Sequence, residues 1–288
     1  MAEAAIAGPA PRTAPQSLWV VPPLLVLAVL FLYPLALIAR ASLGEEAPSF
    51  AAFEQVLKSG QFIDGLYHTV VIAISATAGC LVLGFILALV IAFVPFPGAR
   101  LASRLIDTVI ALPTFLVTLA FTFIYGSAGI INETLMHVLG LELPPINFLY
   151  SQWGVILAEV TVYTPFVMRP LLATFSLIDQ AQIEVASSLG ARPARIVRRI
   201  ILPAALPALV AGGSLCLLLT VNEFGIVLFI GAKDVITLPL LIYSKAIQEF
   251  DYTTACVIAV VNVVLSLGLY TLYRIVVAHF GGKSAGVV

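Results

Sequence analysis

Residues 184 to 203 read EVASSLGARPARIVRRIILP, a polar and basic island ending in proline, within a chain built almost entirely of apolar runs. Just upstream, Asp179 and Gln182 have the Asp-x-x-Gln spacing of a capping box, which satisfies free N–H groups at a helix start. Ile178, Ala181, Val185 and Leu189 then recur at helical spacing, and Gly190 stands where such a helix can end in the left-handed conformation. Pro193 suits the first turn of a second helix. That helix carries Arg192, Arg195, Arg198 and Arg199 among Ile196, Ile200 and Ile201, until Pro203 marks re-entry into an apolar environment. The segment 179–203 therefore reads as a helix–turn–helix elbow exposed to water, with a structured surface for something in the aqueous phase.

The rest of the chain explains why such an elbow stands out. Of 288 residues, 61% are hydrophobic and 10% charged, with a mean hydropathy of +1.11, against roughly 25% charged in a soluble domain. This is an integral membrane protein, all-α by the length of its apolar runs. A net charge of −1 gives no global field for nucleic acid. Residues 1–17, rich in Ala and Pro, read as a disordered cytoplasmic tail, residues 18–280 as one transmembrane domain, and residues 281–288 as a C-terminal cytoplasmic tail. The first apolar run starts late and is long enough to span, which argues for a retained anchor and not a cleaved signal. Cys80, Cys216 and Cys256 lie singly in apolar runs, and their spacing suggests packing.

Runs of about 20 apolar residues place six spans near 18–38, 68–94, 105–125, 152–174, 205–230 and 254–277. Six crossings put both termini on one side. With both termini inside, the inner segments hold Arg12, Arg100, Arg104, Arg169, Arg192, Arg195, Arg198, Arg199, Arg274 and Lys283. The outer ones hold only Arg40, Lys58, Lys233 and Lys245, beside acids such as Glu45 and Glu46. The positive-inside bias thus favours an N-in, C-in topology and puts the elbow in the cytosol. Ala76, Cys80, Gly84, Ala88 and Ala92 recur every four residues, a stripe of small side chains suited to close helix approach.

The spacing Glu-x-Ala-x3-Gly-x9-Ile-x-Leu-Pro, carried by Glu184, Ala186, Gly190, Ile200, Leu202 and Pro203, resembles the EAA loop of ABC importer permeases. The resemblance extends over residues 66–277, with Val185 standing where the family usually has a second Ala. It implies a type I, methionine-importer-like permease fold in a bacterial inner membrane. It also implies that the loop is a coupling helix seated in the ATP-hydrolysing subunit, with Glu184, Ala186, Gly190, Ala191, Arg192 and Arg195 at the ATPase contact. The alternative for the arginines is anionic lipid. Expected partners are ABC ATPase subunits, a second permease chain (a copy or a paralogue), an extracytoplasmic solute-binding protein and the bilayer. No cofactor is expected.

Nor is the chain expected to be an enzyme. Gly282-Lys283-Ser284 looks like the end of a P-loop, but Val277 stands where the first Gly is needed, so ATP is expected to be hydrolysed elsewhere. His68, His137 and His279 lack ligand spacing, and no metal site is expected. Glu159, Arg169, Asn222, Glu223 and Asn262 fall inside predicted spans, where polar groups default to a functional reading. Counting 1.5 Å per residue sets Glu159, Glu223 and Asn262 at similar depth, so Asn222, Glu223, Asn262 and Glu159 are expected along an outer substrate cavity.

For cargo, Asn222-Glu223-Phe224-Gly225, Phe229-Ile230-Gly231 and Thr237-Leu238-Pro239 resemble the sulfate, molybdate, iron(III), polyamine and phosphonate branch. Residues 221–250 are most similar to 2-aminoethylphosphonate permeases, and a carboxylate at Glu223 suits an amino group better than a dianion. A secondary transporter would predict an inverted repeat between residues 18–125 and 152–277, which is not evident. A membrane enzyme would predict clustered catalytic groups, also not evident.

Overall fold

A computed structural model describes residues 19–44 and 49–281; the tail at 1–17, Glu45, Glu46 and the Gly282-Lys283-Ser284 segment lie outside the described residues, as does the side chain of His279. Every regular element among them is helical: α1 Val21–Ala41, α2 Ala51–Lys58, α3 Gly60–Phe93, α4 Ala99–Ala111, α5 Thr114–Tyr125, α6 Ile130–Leu139 and α7 Gln152–Phe175. They continue as α8 Gln180–Ser188, α9 Pro193–Val221, α10 Gly225–Ile230, α11 Leu238–Tyr243 with a π-turn to Gln248, and α12 Tyr252–Gly281. Six segments are long and apolar enough to cross a membrane: α1, α3, Thr114–Leu139, α7, α9 and Tyr252–Val277.

At the centre, α3, α7 and α9 pack on one another, and small residues explain how closely. A Cβ on Gly84 of α3 would stand 3.0 Å from the Val167 side chain of α7, and one on Gly212 of α9 would stand 2.9 Å from the Val167 backbone. Pro170 leaves the Phe166 carbonyl of α7 without its usual helical donor, and that oxygen is only 3.2 Å from the Gly212 Cβ position. Ala76, Cys80, Gly84 and Ala88 are buried as the stripe predicts, but Ala92 is exposed. A four-residue repeat drifts about 40° per step on a helix of 3.6 residues per turn, which carries Ala92 out of the contact.

Around this core, α12 packs on α9 and α11, and α1 leans on α12. No residue of α1 is buried, so it is peripheral. At one end of the bundle Thr69 of α3 accepts the Leu238 N–H at 2.8 Å, fixing the start of α11. The loop from α5 to α7 is tied by Asn132 of α6. Its amide donates to Gly126 O and Ile146 O at 2.8 Å each and accepts from Ile146 N at 3.0 Å.

Two predicted spans differ from the observed ones for local reasons. The third, 105–125, straddles a break: Leu112 adopts an extended ψ of 135° ahead of Pro113, and α4 ends there. A residue before proline is pushed out of the helical region. The fifth, 205–230, runs past the true end of α9 at Val221 into the separate helix α10. It also starts late, because Pro203 does not end the elbow's second helix. A π-turn at Val197–Ile201 absorbs the proline, with Leu202 N–H bonding to Val197 O, and the helix runs on unbroken from Pro193 to Val221.

Candidate coupling surface and transport path

The elbow has the predicted build. Asp179 caps α8, its Oδ1 accepting from Ala181 N at 2.9 Å; among the described residues the Gln182 side chain makes no return bond, so half of the capping box is used. Gly190 takes φ +78°. Its N–H bonds to Ser187 O at 2.9 Å and that of Ala191 to Ala186 O at 3.0 Å, the paired bonds of a Schellman ending. Pro193 opens α9 at its first turn.

The structure sorts the predicted coupling residues by face. Ile183, Ala186 and Ala191 are half-buried and pack toward the chain's own core. Glu184, Gly190, Arg192 and Arg195 are exposed. So are two apolar side chains that helical spacing alone would have sent inward, Val185 at 58% and Leu189 at 83%, with Leu177 just upstream at 85%. Ala186 therefore supports the helix from beneath, while Val185 and Leu189 join Glu184 on the outward side. Arg195, Arg198 and Arg199 line an open cavity of about 400 Å³ with Ala194.

The four predicted path residues fall into two groups by their contacts. In the first, Glu223 is 7% exposed and has both carboxylate oxygens engaged within the chain: Oε1 accepts from Ile226 N at 2.8 Å and Oε2 from the Tyr163 hydroxyl. It thereby caps α10, which lies along α5 through Phe115 and Phe229, their rings 5.6 Å apart. Glu159, one turn before Tyr163 on α7, is 1% exposed, and its Oε2 meets no donor among the described residues.

In the second cluster, Asn222 at the end of α9 is exposed. Its amide donates to Leu218 O at 2.9 Å and Ser266 Oγ at 3.4 Å, and its Oδ1 accepts from Asn262 at 3.0 Å. Asn262, 6% exposed on α12, has no partner for its Oδ1 among the described residues. Neighbours in sequence, Asn222 and Glu223 face different helices because α9 ends at Val221, just before them. The carboxylate of Glu223 already accepts one bond on each oxygen from within the chain.

Tyr163 and Asp107 are site residues that sequence reasoning passed over. Tyr163 had a signal in its i+4 spacing from Glu159. Asp107 lies in the predicted third span, so the rule that singled out Arg169 applies equally to it; Arg169 Nε donates to Asp107 Oδ1 at 2.5 Å. Among the described residues no group of three His, Cys, Asp or Glu is placed to hold a metal ion.

A six-span helical bundle with a capped, outward-facing elbow between its fourth and fifth crossings is the build of a transporter's membrane subunit. The chain belongs to the binding-protein-dependent transport system inner membrane component family, whose sequence profile matches residues 80–283. It is a non-catalytic permease component, and membership implies ATPase and periplasmic binding-protein partners.

Among its relatives is the 2-aminoethylphosphonate transport system permease protein PhnU of Salmonella typhimurium, 59% identical over 93% of this chain and 94% of that one. The sulfate transport system permease protein cysT of Chlorokybus atmophyticus is 33% identical over 86% of this chain and 83% of that one. In fold, the chain superposes on a bacterial ABC transporter involved in alginate import with a TM-score of 0.79 at 18% identity, covering 92% of this chain and 95% of that chain. A methionine ABC transporter chain gives 0.57 at 19% identity, covering 77% of this chain and 96% of that chain.

Proposed function

We propose that this chain is the permease for 2-aminoethylphosphonate, or a close aminophosphonate, driven through alternating access by a separate ATPase docked on α8 and fed by a solute-binding protein. The observation that carries the cargo is the 59% identity to a 2-aminoethylphosphonate permease across 93% of the chain, against 33% to a sulfate permease. Six crossings from one chain make half of the route, and a second permease chain supplies the other half. Docking on α8 is supported by its outward face, where Val185, Leu189 and Leu177 leave apolar surface uncovered beside Glu184, Arg192 and Arg195. Such surface on a cytosolic helix gains from a partner that removes it from water.

Within the path, Asn222 is the member placed to meet cargo, being exposed and rich in donor and acceptor capacity. Asn262 orients it. Glu223, with Tyr163, holds α10 in place, and Glu159 lies behind both. The test is uptake of labelled 2-aminoethylphosphonate by the reconstituted transporter in competition with unlabelled phosphonates, sulfate, molybdate and polyamines. Unlabelled 2-aminoethylphosphonate should compete best; stronger competition by sulfate or a polyamine would overturn the cargo.

A further inference from the structure

Helix α4 carries Arg100, Ser103, Arg104, Asp107 and Thr108 at spacings of three and four, which sets them on one face. Leu101 and Leu105, each 61% exposed, border that face. It carries Asp107 paired with Arg169 of α7, whose side chains are 20% and 57% exposed.

Depth makes Arg169 unusual. It is six residues from the end of α7, a crossing helix, roughly 9 Å inside that end. Exposed charge at that depth belongs against a water-filled cavity or another subunit. Arg169 does not reach back to the headgroups, because its Nε is held by the short side chain of Asp107. Its two Nη groups have no partner among the described residues, and Arg100 and Arg104 have no ion-pair partner there. Toward the helix end, Arg100, Ser103 and Arg104 line a cavity of about 330 Å³ with Ile91 and Ala99.

We infer that the polar face of α4, with Arg169 of α7, is the wet cytoplasmic half of the transport route and that the Arg169–Asp107 pair is an exit-side station for cargo. A phosphonate is a tetrahedral oxyanion, two of whose oxygens a guanidinium fork binds with two parallel hydrogen bonds. The inference rests on the proposed aminophosphonate cargo, a zwitterion in which the phosphonate meets Arg169 and the ammonium meets Asp107. Each partner of the resting pair exchanges its neighbour for the opposite end of the cargo, and Arg104 and Arg100 continue the cationic track toward the cytosol. Net positive charge along this face draws an anion outward from the bilayer centre.

Two measurements test it on the complete transporter, with its ATPase and binding protein, in proteoliposomes. Arg169→Gln should lower ATP-dependent uptake at least tenfold, and the exchanged pair Asp107→Arg with Arg169→Asp should not restore it. Uptake by the exchanged pair within twofold of wild type would show a tie between helices only and would overturn the station. Independently of cargo, Thr108→Cys in a chain whose three native cysteines are replaced should react with a membrane-impermeant thiol reagent in the nucleotide-free state; an unreactive cysteine would overturn the wet face. Failure of the wild type to take up 2-aminoethylphosphonate would overturn the proposed cargo and the ammonium role of Asp107, while the labelling result stands or falls by itself.

Discussion

Single residues decide how closely the central helices meet. Gly212 is irreplaceable by size: its missing Cβ would meet backbone atoms of Val167 and Phe166, which cannot rotate aside. Gly212→Val should cost on the order of 1–3 kcal/mol by overpacking, read as a lower midpoint of thermal unfolding in detergent; an unchanged midpoint would contradict the tight α7–α9 contact. Tyr163→Phe removes the hydroxyl that donates to Glu223 Oε2 without changing the ring. Leaving a buried carboxylate short of a donor costs about 1–3 kcal/mol, so this variant should also unfold earlier, whereas an equal midpoint would deny Glu223 its role in holding α10. Neither pairing was legible in the chain: Tyr163 and Glu223 stand 60 residues apart, and Arg169 and Asp107 stand 62 apart. Sequence marks each intramembrane charge as costly but does not say which charge answers it.

Elements were read with uneven success, and the failures share a cause. The elbow was legible because its signals are local: a cap at Asp179, a left-handed glycine and a proline at the next first turn each act within one or two turns. The breaks at 112–113 and 222–224 were hidden because hydropathy stays high on both sides of them, so an apolar run was counted as one helix. What no local signal conveyed is that Val185 and Leu189 face outward, since periodicity reports that a face exists and not what covers it. Gly190 supplies a test at this scale. A Cβ there meets nothing within 4 Å, yet φ is +78°, so Gly190→Ala introduces backbone strain of about 1–2 kcal/mol and no clash. The expected result is a loosened elbow: ATP hydrolysis less responsive to loaded binding protein, with the bundle's unfolding midpoint nearly unchanged. A large fall in the midpoint instead would place Gly190 in the fold and not in coupling.

At the scale of the molecule, the account is a division of labour. The α3–α7–α9 core is rigid and closely packed, α1 is a peripheral addition resting on α12, and α8 is held off the core's end as a handle. The composition excluded a soluble domain, and the motif at 184–203 pointed to a family that the profile match then established. In the proposed function, force from ATP hydrolysis enters through that handle. The most direct test is uptake of 2-aminoethylphosphonate into proteoliposomes containing this chain, its partner permease, ATPase and binding protein, comparing wild type with Val185→Asp/Leu189→Asp, with and without ATP. Uptake that requires ATP and falls at least tenfold in the double variant is the predicted result; uptake that proceeds without ATP, or that ignores two charges placed on the outward face of α8, would contradict the account.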